Sequence, residues 1–124
     1  MPRTAIHEVQ AELFRALGHP VRLLVLETLV DGERTVAELH AALGLDDGGA
    51  SGHLAVLRKE GLVESRREGA NVVYRLRGER IAALLDVSRT LLLERLEHTE
   101  ELLGDLAREL AEDEKRQQRK RPRT

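Results

Sequence analysis

The chain has 124 residues, of which 41% are hydrophobic, 34% charged and 2% aromatic, and its formal net charge is −2. One mainly helical domain with an aliphatic core is expected from this length and composition. The absence of cysteine excludes disulfides, thiolate metal sites and cysteine nucleophiles. No apolar run approaches a membrane span and no secretory signal pattern is visible, so we expect a cytoplasmic protein.

The small net charge conceals a segregation of sign along the chain. Residues 58–77 carry six basic and three acidic side chains, and residues 115–124 carry six basic and no acidic ones. Residues 78–114 carry four basic and eleven acidic side chains. Positive charge concentrated in one block is typical of a surface that binds nucleic acid, and an ordinary mixed surface is the alternative.

Two helices are predicted in the first third of the chain. Apolar residues recur at helical spacing from Ile6 to Leu17, and Gly18 ends that stretch. Pro20 suits the first turn of a second helix, which is almost entirely apolar and therefore predicted to be buried. This helix ends at Asp31 and Gly32.

A pair of short helices is predicted from about Thr35 to Glu60. The first is amphipathic and ends at Gly44, and the second follows within a few residues. A helix pair with a short glycine-containing turn can place its second helix in the major groove of DNA.

A basic β-hairpin follows this pair at once. Residues 62–67 and 72–76 partly alternate apolar and polar side chains around a turn that contains Gly69. A basic hairpin beside a helix-turn-helix can reach the flanking phosphates. We therefore predict double-stranded DNA as a partner.

The last predicted helix, from about Glu79 to Glu114, carries a long apolar stripe. The stripe repeats at steps of three and four residues through Leu85, Ser88, Leu92, Leu96, Thr99, Leu103, Leu106 and Leu110. A single amphipathic helix of this length is unstable alone in water, so the stripe predicts a partner helix in a homodimer. Packing only against its own domain is the alternative. The predicted interface residues are Leu13, Leu85, Leu92, Leu96, Leu103 and Leu106.

We place the domain at residues 1–111 and a disordered basic tail at residues 112–124. The tail is rich in lysine and arginine, contains Pro122 and has no apolar residue after Ala111. It either strengthens non-specific DNA binding or remains solvated.

Three segments together resemble the ArsR/SmtB family of winged-helix transcriptional regulators. Residues 13–23 resemble the entry to that family's second helix, residues 51–63 its recognition helix running into the wing, and residues 68–76 its wing. The resemblance implies a winged helix-turn-helix homodimer with a long C-terminal dimerisation helix. It also implies a repressor that binds an inverted-repeat operator and is released by an effector or a co-regulator.

The start of the recognition helix departs from the family pattern. Asp46 and Asp47 would repel phosphate, and three glycines follow within the next five residues. Each glycine costs about 0.8–1 kcal/mol relative to alanine in a helix, so we expect a frayed or shortened start. The residues left as DNA contacts are Ser51 and His53 at base edges, Arg58, Arg66, Arg67 and Arg75 at phosphates, and Asn71 beside the wing turn.

An effector site can be predicted only in part. The family's cysteine ligands are absent here, whereas part of a second ligand pattern is retained on the last helix. Glu94, His98 and Glu101 share one helix face, and His7 would complete a nickel or zinc site from a neighbouring helix. A solvated acidic face is the alternative, so no cofactor is certain.

Other classes of function are less well supported. The chain has no nucleophile elbow, no phosphate loop and no two-histidine zinc hydrolase motif, so we do not expect an enzyme. A winged-helix protein-interaction module that has lost sequence-specific DNA binding is the main alternative.

Overall fold

The computed structural model describes residues 3–45 and 47–120, without the side chains of residues 3, 47 and 48. Helices and strands follow in the order of a winged helix-turn-helix, which confirms the predicted fold class. They are α1 (Arg3–Leu17), α2 (Pro20–Val30), β1 (Arg34–Thr35), α3 (Val36–Leu43), α4 (Asp47–Lys59), β2 (Val63–Glu68), β3 (Asn71–Leu76) and α5 (Glu79–Lys120).

Local side-chain signals set the ends of α3. Thr35 Oγ1 accepts a hydrogen bond from the Glu38 amide at 3.1 Å, and a Glu38 carboxylate oxygen accepts one from the Thr35 amide at 3.2 Å. This reciprocal capping box satisfies two amides that a helix start leaves without partners. At the other end, Gly44 adopts a φ of 64°, a left-handed conformation in which glycine carries no steric penalty.

The three strands form one antiparallel sheet in the order β1-β3-β2. β1 pairs Arg34 with Tyr74 and Thr35 with Val73. Sequence analysis missed this strand because two residues are too few to display an alternating pattern. The predicted wing is present, and its turn contains Gly69 at a φ of 63°.

Residues up to Leu85 form one unit, and the chain from Asp86 onward forms a second. The first unit has an aliphatic core centred on Val25, Leu26, Leu39 and Leu57, all almost fully buried. Leu85 is only 6% exposed and belongs to this core. Its assignment to a dimer interface is therefore corrected, because its own chain already buries it.

α5 beyond Leu85 is a single helix with an exposed apolar side. Leu92 is 51% and Leu103 60% exposed, and Leu96, Leu106 and Leu110 are similarly accessible. A solitary helix offers these side chains no core of their own.

α5 ends at Lys120, beyond the predicted end near Glu114. The predicted disorder of residues 112–124 is thus wrong for residues 112–120, which are helical. These residues include neither glycine nor proline, and most of them are good helix formers. Asp113 and Arg116 add an ion pair at 3.6 Å one turn apart. The remainder of the predicted tail, residues 121–124, lies outside the described residues.

Candidate nucleic-acid interface

α4 presents one face to the core and the other to solvent. Ala50, Leu54 and Leu57 are buried, whereas the opposite face is exposed and ends in two cations. The exposed face comprises Ser51, Gly52, Ala55, Arg58 and Lys59. Ser51 and Arg58 thus lie on the surface where sequence analysis placed them.

Ala55 and Lys59 were missed as site residues. Ser51, Ala55 and Arg58 are spaced by four and three residues, so the helical repeat alone would have placed Ala55 between the other two. A methyl group on this face suits contact with the methyl group of thymine.

α4 begins at Asp47, so its glycines do not shorten it. Asp46, which sequence analysis expected to repel phosphate, lies outside the described residues. A Cβ atom built on Gly52 would meet no atom within 4 Å. Nothing within the described chain therefore requires glycine at this exposed position.

A shallow groove runs between α3, α4 and β3. The groove is lined by residues of all three elements: Val36 and His40 of α3, Ser51, Leu54 and Arg58 of α4, and Val72 and Tyr74 of β3. The recognition helix and the wing therefore border one continuous surface.

His53 does not lie on that surface. It is half-buried, and its ring centroid lies 4.2 Å from that of His19 at the start of α2. Its Nδ1 lies 3.4 Å from a guanidinium nitrogen of Arg22. Because these contacts turn the side chain towards α2, we withdraw His53 as a base-edge contact.

The wing has two faces with different arginines. Directly paired residues of an antiparallel ladder share a face, and successive residues along a strand alternate. Arg67 pairs with Val72, which lines the groove beside α4. Arg66 pairs with Val73 and therefore lies on the opposite face.

The arginines of that opposite face form ion pairs with carboxylates. Arg66 forms an ion pair with Glu33 and a second, at 3.1 Å, with Glu68. Arg75 contacts a Glu64 oxygen through Nε at 2.9 Å and through a terminal nitrogen at 2.7 Å. The hydrogen bond from Arg66 lowers the pKa of Glu33, and the same bond raises the pKa of Arg66.

These ion pairs change the ranking of the predicted phosphate contacts. Arg66 and Arg75 must exchange a carboxylate for a phosphate before either binds DNA. Arg67 forms no ion pair with any side chain that the structure describes, and it lies on the groove side of the wing. Asn71 is exposed where β3 begins, paired with Glu68 across the turn.

The predicted metal ligands are exposed side chains of two helices. Glu94, His98 and Glu101 lie on α5, and His7 lies on α1 in the first unit. No three His, Asp or Glu side chains among the described residues are gathered closely enough to hold a metal ion. The predicted set stays a prediction.

None of the helices in the described part of the chain is both long and apolar enough to cross a membrane.

Comparison with known proteins identifies the family. Residues 19–65 match the family model described as bacterial regulatory protein, arsR family. The helix-turn-helix transcriptional regulator Rv0081 of Mycobacterium tuberculosis is 37% identical over 107 residues, which cover 86% of this chain and 94% of that protein. The biofilm growth-associated repressor of Xylella fastidiosa is 41% identical over 81 residues, covering 65% and 71% of the two chains.

Solved structures agree with these sequence matches. The crystal structure of Rv0081 has a TM-score of 0.71 at 39% identity and covers 74% of this chain and 93% of that one. A homodimeric winged helix-turn-helix DNA-binding domain from Mycobacterium bovis, solved by NMR, also has a TM-score of 0.71. That domain is 38% identical, and the match covers 77% of this chain and 89% of that one. The chain therefore belongs to the arsR family of bacterial regulatory proteins, whose members are transcriptional regulators and not enzymes.

Proposed function

We propose that this chain is a cytoplasmic repressor that binds an inverted-repeat operator as a homodimer. The observation that carries the proposal is the continuous surface on which the exposed face of α4 meets the groove side of the wing. Arg58, Lys59 and Arg67 supply its positive charge. The relatives described as a homodimeric DNA-binding domain and as a repressor support this assignment.

Base recognition is assigned to the middle of α4. The Ser51 hydroxyl is both a donor and an acceptor, which suits the base edges of the major groove, and Ala55 offers a methyl contact to thymine. Arg58, Lys59 and Arg67 bind the flanking phosphates and fix the register of the helix.

We assign the contact with the second copy to the apolar side of α5. Leu92, Leu96 and Leu103 each leave more than half of their area in water. Burying the exposed half of one such side chain contributes about 0.8–1.5 kcal/mol, so pairing several leucines along the helix offers a large gain. A homodimer also presents two recognition helices, about 34–36 Å apart for half-sites one helical turn apart.

The experiment that tests this proposal is selection of binding sites from a pool of random DNA duplexes, with affinities then measured at two salt concentrations. We expect an enriched inverted repeat and a steep loss of affinity as salt rises, because phosphate contacts release counterions. No enriched sequence and no salt dependence would instead favour the protein-interaction module.

Arginine variants test the assignment of the wing faces. Arg67→Ala should weaken DNA binding and flatten the dependence of log affinity on log salt by about one unit per protomer. Arg66→Ala should have the smaller effect, because Glu33 and Glu68 already bind that side chain. Arg108→Ala removes an equal charge from α5 and serves as the control. A larger effect at Arg66 than at Arg67 would reverse the assignment.

Metal responsiveness is a separate, finer part of the proposal. Glu94, His98 and Glu101 recur at steps of four and three residues on exposed α5, and their imidazole and carboxylate groups are ligands that suit nickel or zinc. Titration of the full chain with each metal, repeated on His98→Ala, tests this. An unchanged isotherm in the variant would remove His98 from any site.

A further inference from the structure

Two histidines and an arginine meet where the start of α2 faces the middle of α4. His19 is the N-cap of α2, and its Nδ1 accepts a hydrogen bond from the Val21 amide at 3.1 Å. The His53 ring of α4 lies 4.2 Å from the His19 ring, tilted by 46°. Arg22 Nη1 lies 3.4 Å from His53 Nδ1. We call His19, Arg22 and His53 the histidine junction.

Arg22 is fixed in place by the end of α1. Its Nε donates to the Ala16 carbonyl at 2.6 Å, and its Nη2 donates to the Arg15 carbonyl at 3.0 Å. Two further hydrogen bonds therefore hold the guanidinium beside His53. A positive charge that develops on His53 cannot be relieved by a simple swing of Arg22.

The contacts of the histidine junction require neutral rings. A guanidinium only donates hydrogen bonds, so the His53 Nδ1 that faces Arg22 must be the unprotonated acceptor. The His19 Nδ1 must likewise be unprotonated in order to accept from the Val21 amide. Both imidazoles therefore carry their single proton on Nε2.

Protonation of the His53 ring opposes this arrangement. Burial, the neighbouring His19 and the charge of Arg22 all lower the pKa of His53. His19 and Arg22 are the titratable and charged groups that face it from α2, and no described carboxylate forms an ion pair with either histidine. A protonated His53 ring therefore places a second positive charge beside the Arg22 guanidinium.

We propose that the histidine junction positions the first half of α4 for DNA and loosens it in acid, so that affinity for DNA falls as His53 is protonated. The proposal rests on the proposed DNA-binding function. Leu54 and Leu57 keep the second half of α4 in the core, whereas the smaller side chain of Ala50 holds the first half there with less buried area. The expected loss of order therefore centres on the turns around His53, which include Ser51.

The predicted change in DNA affinity on acidification is opposite in sign to the change that net charge alone would cause. Acid makes a protein more positive, which ordinarily strengthens its attraction to DNA phosphates. A fall in affinity on acidification thus separates the histidine junction from a general charge effect.

The test measures affinity of the full chain for a selected DNA duplex at about pH 7.5 and about pH 5.5, either side of the usual histidine pKa near 6.5. Ionic strength is constant and a chelator is present. The key variant is His19→Asn combined with His53→Asn. Asparagine places an acceptor oxygen where Nδ1 stands, caps helices well and does not titrate in this range. His7→Asn, the same change at an exposed position of α1, is the control.

We expect the unaltered chain and His7→Asn to lose affinity about three- to tenfold on acidification, because the arrangement that binds DNA disfavours the protonated His53 ring. The double variant should lose none. An unaltered chain whose affinity is constant or rises in acid would overturn the proposal, as would a double variant that loses as much as the unaltered chain.

Two measurements keep the outcome decisive if a variant misfolds or DNA does not bind. In the unaltered chain, long-range proton–nitrogen NMR should show an unprotonated Nδ1 on both histidines at neutral pH, and a protonated one would overturn the proposal. If no duplex binds at either pH, the proposed function fails by itself. Amide exchange of residues 49–56 then decides the histidine junction: faster exchange in acid is expected, and equal rates would refute it.

Discussion

The chain up to Leu85 and the helix beyond it differ in where their apolar side chains go. The first region buries Val25, Leu26 and Leu57 almost completely within one chain. The second exposes Leu92 and Leu103 by more than half of their surface. Since both regions are rich in leucine, composition does not separate them. The winged helix thus has its core within one chain, whereas α5 beyond Leu85 exposes the apolar side that the proposed second copy would cover.

The largest expected effect comes from the core of the first region. Leu26 is fully buried, so Leu26→Ala should lower the free energy of unfolding by about 2–5 kcal/mol through lost burial and a residual cavity. Urea unfolding measures it, and the loss should be the same at low and high protein concentration. A loss that appears only in dilute protein would show that the core depends on the dimer.

A double substitution on α5 should act through association instead. Leu96→Ser with Leu103→Ser removes two exposed leucines and should weaken the dimer at least about tenfold, because burial of the exposed half of each leucine contributes about 0.8–1.5 kcal/mol. Analytical ultracentrifugation measures the dimer, and circular dichroism at high concentration checks the winged helix. Arg108→Ala, on another face of α5, is the control. Unchanged association in the double variant would contradict the assigned role of α5.

The smallest expected effect concerns Gly52, on the exposed face of α4. Gly52→Ala should raise the free energy of unfolding by about 0.5–1 kcal/mol, because alanine favours the helix and its Cβ meets open space. The same methyl group should weaken DNA binding, because it would stand between α4 and the duplex. Tighter DNA binding in this variant would place Gly52 outside the interface.

Sequence patterns predicted the order of helices and the wing because local signals encode them. The capping box of Thr35 and Glu38, the glycine at 44 and the period of the apolar residues all act within a few positions. Side-chain partners were not predictable, since they join distant positions: Arg66 meets Glu33 across 33 residues, and Arg22 meets His53 across 31. These pairings removed His53 from the base contacts and separated Arg67 from Arg66.

The residue at which α5 ends was also not predicted from the sequence pattern. Basic residues without apolar neighbours suggested disorder after residue 112, yet helix propensity carries the helix to Lys120. Charge pattern alone does not distinguish a solvated helix from a disordered tail.

In the proposed complex, two copies of this chain bind one duplex through α4 and Arg67. Its most direct test is the mass of the complex that the full chain forms with a selected inverted repeat, measured by native mass spectrometry. We predict two protein copies per duplex, and the Leu96→Ser, Leu103→Ser variant should form that complex only at higher concentration. A complex with one copy per duplex, or none at any concentration, would contradict the account.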